Sequence, residues 1–288
     1  MRILVLRALG LGDLLTAVPA LRGLRRAFPD AEITLAAPAW LADVVERIDA
    51  VDRLLPTEAL APIDFDRPGL AVNLHGRGPQ SVARLLATGP RRLITYDVWR
   101  ENRHEVLRWC DLLEGYGIRC DPEDLCLPAV GARTDRIVIH PGASHGSRRW
   151  PADRFAAVAR ELPNVVVTAS PGEVPLARRI VRDPFVGSLA ELLDLVATAR
   201  LVICGDTGVA HVATAYGTPS VVLFGPVSPK LWGPLSGPHR VLWHGRTGDT
   251  FARSPDPGLL EITVDEVLEA VGGVLCRESV SSARATSA

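Results

Sequence analysis

Two short apolar runs, each broken by glycines and followed at once by a helical pattern, limit what this chain can fold into. The first is Ile3-Leu4-Val5-Leu6-Arg7 leading into Gly10-Leu11-Gly12-Asp13. The second is Val202-Ile203-Cys204 leading into Gly205-Asp206-Thr207-Gly208-Val209-Ala210-His211. An apolar run that stops in glycine and restarts as a helix is the strand-to-helix turn of a parallel α/β unit. Such a turn aims the unpaired N–H groups of the helix, and the positive end of its dipole, at the space beyond the strand. Anions bind there, and phosphates most readily. Two such turns, far apart in one chain, predict two Rossmann-like parallel-sheet domains facing a cleft.

The 288-residue length exceeds the usual single-domain size. Short β-branched runs at 3–7, 32–36, 53–55, 70–74 and 92–95 read as strands, and 13–27, 39–48, 81–87 and 103–115 as helices. Pro19 lacks the N–H that would bond back to Leu15, so a kink is expected in the first helix. Residues 122–135 are loop-rich and polar and serve as the linker, giving a first domain over 1–128 and a second over 136–276. The second repeats the alternation: strands at 136–140, 165–168, 201–204 and 220–224, helices at 152–162, 174–181, 189–199 and 209–216. A last amphipathic helix at 264–275 follows a Pro/Gly-rich stretch read as irregular, and 277–288, without an apolar period, is expected to be a disordered tail.

Charge excludes some partners. Thirty-two basic and 33 acidic residues nearly cancel, so no nucleic acid is expected to bind by bulk charge. Lys230 is the only lysine, so phosphate clamping falls to the forked guanidinium of arginine. Five cysteines without CxxC spacing predict neither a disulfide framework nor a zinc site, which points to a reducing cytoplasm. The apolar start is interrupted by Arg7 and the glycines, and reads as a buried first strand rather than a signal peptide.

Each candidate residue carries an ordinary alternative. Gly10 and Gly12 begin a dinucleotide fingerprint, but Leu15 stands where its third glycine belongs, so no nicotinamide cofactor is expected. Asp13, at a helix N-terminus, is a plain cap or a general base held ionised by the dipole. Asp206, Thr207 and Gly208 are likewise a cap and turn, or part of an anion site. Gly205 and Gly208 favour the second reading by clearing side chains from a ligand's approach. Ser144 and Arg148, in the loop after the first strand of the second half, could clamp a diphosphate, with Arg149 beside them. Glu173 could hold a ribose diol or simply cap a helix. His75 and Arg77, after the strand at 70–74, would meet an acceptor, although the seven arginines and three acids from Arg77 to Arg108 are mostly a solvated face. Asp64-Phe65-Asp66 imitates a metal-binding DxD but lies in a Pro-rich connection, and no metal site is expected.

Taken in order, Arg7-Ala8-Leu9-Gly10-Leu11-Gly12-Asp13 with Pro19-Ala20-Leu21, His140-Pro141-Gly142-Ala143, Arg148-Arg149-Trp150-Pro151, Gly205-Asp206-Thr207-Gly208-Val209-Ala210-His211, and Gly217-Thr218-Pro219 with Phe224-Gly225-Pro226 resemble glycosyltransferase family 9, the heptosyltransferase type. The resemblance implies a GT-B fold, with the acceptor in the N-terminal domain and the nucleotide sugar in the C-terminal one. It implies inverting, metal-free transfer of heptose from an ADP-activated donor to a glycan or other hydroxyl acceptor, without a cofactor. Asp13 would then be the base, and Asp206, Thr207, Gly208, Val209 and His211 would line the donor. Arg148 stands where the family commonly has lysine, Glu173 would hold the nucleoside, and Gly12, His75 and Arg77 would face the acceptor. Membrane association would come only by way of a lipid-linked acceptor. A nucleotide-sugar epimerase and a non-catalytic sugar-nucleotide-binding protein remain the alternatives, and the oligomeric state stays open.

Overall fold

The computed structural model describes residues 1–285, with side chains described through Cys276. The chain forms two compact units, Met1–Leu127 and Pro128–Ala288. No helix among the described residues is long and apolar enough to cross a membrane.

The first unit is a parallel sheet of β1 (Arg2–Leu6), β2 (Glu32–Ala37), β3 (Arg53–Pro56), β4 (Leu70–Asn73) and β5 (Leu93–Ile94), in the order β3-β2-β1-β4-β5. Ile3, Leu4 and Val5 are wholly buried, the continuous apolar run expected of a central parallel strand covered on both faces. The chain winds outward from β1 through β3, then crosses to β4 on the other side. The winding therefore reverses between β1 and β4, whose C-terminal ends lead to the helix that carries Asp13 and to the loop that carries His75; ligands of open α/β sheets gather at such a reversal. The predicted first helix is two, Leu11–Thr16 and Val18–Ala27, separated at Ala17. Pro19 thereby falls in the first turn of the second helix, where its missing N–H leaves no bond unmade.

Cys110 and Cys120 are joined by a disulfide, with Cα atoms 5.1 Å apart, which corrects the cysteine reading. Cys110 lies in the helix Glu105–Glu114, and the chain reverses just after it at Gly117, in a left-handed conformation with φ of 79°. That reversal brings Cys120 back to the helix, a proximity the spacing does not announce.

The second unit has β6 (Ile137–His140), β7 (Val165–Val167), β8 (Leu201–Gly205), β9 (Ser220–Leu223) and β10 (His239–Leu242), all parallel, in the order β10-β9-β8-β6-β7. Its winding reverses between β6 and β8, the two strands that lead into the predicted phosphate loops. Ile137, Ile139, Ile203 and Val221 pack with Trp150 and Phe155 to form the core beneath them. β10 lies within the stretch read as irregular. Its residues, His239-Arg240-Val241-Leu242, are half polar and partly exposed, so no apolar run announces them, and pairing His239 with Ser220 and Leu242 with Leu223 makes them a strand. The last helix runs Val264–Ala285, well past the predicted end, while residues 286–288 of the predicted tail lie outside those described. Extending a formed helix adds one hydrogen bond per residue and needs no apolar face.

Candidate functional site

In the second unit the loops after β6 and β8 meet. A Cβ on Gly205 would lie 2.8 Å from the Arg148 carbonyl, so only glycine lets these two backbones approach. The next residue, Asp206, is 5% exposed, with Arg148 Nη1 3.4 Å from its Oδ2. Arg148 Nε is buried and makes no hydrogen bond among the described residues. A buried guanidinium N–H left in that state marks a place for an incoming acceptor atom.

The helix Gly208–Ala215 starts here. Its cap residue is Thr207 rather than Asp206, with extended φ and ψ of −151° and 168°. The amides of Gly208 and Val209, in the first turn, have no intrahelical acceptor to reach. Val209 has a buried side chain, so it can offer a ligand only its backbone N–H. His211 is half-buried, one turn further, with its ring edge-on to Trp232 at 6.0 Å.

The loop after β6 is stitched down by residues the sequence did not single out. Ser147, not the exposed Ser144, is the buried serine: its Oγ donates to the Thr250 carbonyl at 2.6 Å and its amide to the Ala252 carbonyl at 3.0 Å. A Cβ on Gly146 would sit 1.7 Å from the Arg253 carbonyl oxygen. Arg149 turns inward, giving both Nε and Nη2 to the Ala143 carbonyl at 2.9 and 2.7 Å. Of the paired arginines, Arg148 reaches Asp206 and Arg149 braces the loop.

Glu173 realises its ordinary reading, because its Oε2 accepts from the amide and hydroxyl of Ser170 at 3.1 and 2.7 Å. The same carboxyl lies over Gly142, where a Cβ would be 2.1 Å from Oε1, so Glu173 stands at the β6 loop with the other candidates. Buried His140 is held below the usual imidazole range by loss of solvent, against the opposing charge of Glu173.

In the first unit Asp13 is the third residue of its helix, reaching back so that Oδ2 accepts from the Gly10 amide at 3.2 Å. Gly12 stands in the same first turn. The Asp13 carboxyl also lies 3.6 Å from Arg7 Nη2 and keeps 31% of its side-chain surface exposed. The cap reading thus holds without closing the carboxylate off. His75 is half-buried, and its Nδ1 is buried with no hydrogen-bond partner among the described residues. Burial first, and then the charge of Arg7, push its pKa below the usual value, while Asp13 opposes them. Asp13, Arg7 and His75 therefore form one group. Arg77 is exposed and reaches Glu101 at 3.2 Å. Arg103 forks onto Asp111, and Arg108 pairs with Glu105, so much of the arginine-rich stretch is used internally. Arg7 received no role in the sequence reading; a charge closing an otherwise apolar strand was its signal.

The model of glycosyltransferase family 9 (heptosyltransferase) matches residues 119–254. Lipopolysaccharide heptosyltransferase 2 of Salmonella typhimurium is 25% identical, with 97% of this chain and 100% of that protein covered. The structure of Escherichia coli ADP-heptose lipopolysaccharide heptosyltransferase II superposes with a TM-score of 0.77 at 22% identity, covering 97% of this chain and all of that one. An E. coli heptosyltransferase solved with ADP gives 0.72 at 18% identity over 95% and 100%. With its motifs in the expected order on two parallel-sheet units, the chain is a glycosyltransferase of the GT-B fold, similar to the heptosyltransferases of glycosyltransferase family 9.

Proposed function

We propose that this enzyme moves heptose from ADP-heptose to a hydroxyl of a lipopolysaccharide-type glycan, with inversion and without a metal. The observation that carries the reading is the pairing of half-buried Arg148 with buried Asp206 at the start of the helix Gly208–Ala215, where the second sheet reverses its winding. The names of the similar proteins supply the sugar, the nucleotide and the class of acceptor.

In the reaction the acceptor oxygen bonds to the anomeric carbon as the bond from that carbon to the diphosphate breaks, and ADP leaves with the electron pair. Negative charge grows on the diphosphate as it departs. Arg148 and the amides of Gly208 and Val209 stabilise that charge in the way a divalent cation does in other enzymes. Asp13 accepts the proton of the acceptor hydroxyl. Glu173 holds the nucleoside, with Ser144, Asp206, Thr207 and His211 around the donor; His75 and Gly12 face the acceptor, and Arg77 lies at its margin.

Asp13→Asn tests this directly. The substitution keeps the size of the side chain and removes its basicity, so kcat should fall by about 10²–10⁴ while ADP affinity stays unchanged. Turnover should be indifferent to EDTA. Full activity of Asp13→Asn, or metal-dependent transfer, would overturn the respective assignment.

A further inference from the structure

Arg7 is only 1% exposed, yet it closes β1 at the point where the winding of the first sheet reverses. Its Nε donates to the Asp13 carbonyl at 2.9 Å, and its Nη1 to the carbonyl of Leu74, the residue before His75. Nη2 donates to Thr16 Oγ1 at 3.2 Å and to Glu105 Oε1 at 3.1 Å, and the guanidinium lies 4.6 Å from the Trp109 ring centroid. One side chain thus ties together the turn that presents Asp13, the turn that presents His75, and the helix Glu105–Glu114. Glu105 is itself held, with Oε1 accepting from Trp109 Nε1 at 2.9 Å and Oε2 from Arg108 Nε at 3.0 Å. Thr16 Oγ1 donates to the same Asp13 carbonyl at 2.9 Å.

A fold does not need a charge at this position. Well-packed apolar side chains commonly replace buried ion pairs without loss of stability. What a guanidinium adds is direction, because its planar fork fixes several acceptors at once. We propose that Arg7, with Glu105 behind it, is the positioning residue of the acceptor site, fixing the Asp13 carboxylate and the His75 imidazole against one another for an incoming hydroxyl. The proposal rests on Asp13 being the base. Charge supports it. Arg7 and Arg108 balance Glu105 and Asp13, so the group is neutral only while His75 carries no proton. Burial and the Arg7 charge both favour that uncharged ring, and the attraction of Asp13 opposes them. A neutral imidazole beside a carboxylate leaves two groups able to accept a hydrogen bond from one sugar.

The test uses the full chain as Arg7→Gln, Arg7→Lys, Glu105→Gln and Asp13→Asn. Each is followed by thermal melting, ADP binding, heptose transfer from ADP-heptose to heptose-deficient lipopolysaccharide across pH, and NMR titration of His75. Arg7→Gln and Glu105→Gln should bind ADP like the wild type and lose roughly 10²-fold in kcat, the scale of a displaced catalytic group. The His75 titration should move up in Arg7→Gln, where repulsion is gone, and down in Asp13→Asn, where attraction is gone. Arg7→Lys separates the two effects: the charge returns and the His75 titration with it, while kcat stays low because the fork is missing. If Arg7→Gln fails to fold, the near-isosteric Glu105→Gln decides. Wild-type kcat and pH profile in a folded Arg7 variant, or in Glu105→Gln, would overturn the proposal. If Asp13→Asn is inactive in that case, the base reading survives alone; if Asp13→Asn is fully active, both fall.

Discussion

At residue scale the loops proposed to hold the donor depend on positions where no side chain fits. Gly146, Gly142 and Gly205 each face an atom closer than any Cβ tolerates, and at Gly146 that atom belongs to backbone, which cannot swing aside. Gly146→Ala should therefore cost about 1–3 kcal/mol by overpacking. It should also weaken ADP binding, because the displaced turn carries Arg148. Gly76→Ala is the control, since nothing lies within 4 Å of its added Cβ. Chemical denaturation and ADP titration of both variants check this; equal stability of the two would contradict the steric account. The sequence singled out Gly205 as clearing a ligand's approach and gave Gly146 no role. It could not say which backbone each one admits, because Arg253 and Gly146 are distant in the chain.

At element scale β10 shows how an edge strand can tie stability to pH. His239 pairs with Ser220 across the β10–β9 register, and its Nδ1 lies 2.8 Å from Ser220 Oγ. Burial lowers its pKa to about 4. The folded ring stays neutral down to that pH, whereas the unfolded chain takes its proton near the ordinary value of about 6.5. Between the two, the unfolded state binds more protons, so stability is complete above about 6.5 and is lost progressively as pH falls toward 4. The loss attributable to this ring should reach on the order of 2–3 kcal/mol. Urea unfolding at several pH values should show a shallower decline for His239→Gln; parallel curves would remove the ring from the account. The strand that carries His239 escaped the sequence reading, while the strands around it did not. The difference is physical: β6, β8 and β9 are buried along their whole length, whereas β10 is partly exposed and is defined by its neighbour.

At the scale of the whole molecule the two units are doubly wound in different ways. The first leads from β1 in the middle outward to β3 and then to β4, while the second places its second strand, β7, at an edge and its third, β8, inside. Both still bring strand-to-helix turns to the reversal of winding, the place where open α/β sheets gather ligands. If ADP docks at the second of these, it must stabilise the folded chain by mass action. At a hundredfold excess over Kd the gain is about 2.7 kcal/mol, equivalent to a rise in Tm of roughly 5–10 °C. Differential scanning fluorimetry with ADP, set against another nucleoside diphosphate, measures it. An unmoved Tm would contradict the donor site.

What the linear chain determined by itself was whatever depends on neighbours in sequence: apolar runs that must be strands, glycine turns that must open helices, and the break that Pro19 enforces. These follow from backbone sterics and from burial of contiguous side chains. The tertiary structure alone decided which distant groups share a space. Arg7 between Asp13 and Glu105, Ser147 under residues 250–252, and Cys110 against Cys120 all join segments that only sheet order and chain reversal bring together. A buried charge or a buried hydroxyl has no meaning until its partner is known, and those partners lie beyond the reach of any local pattern.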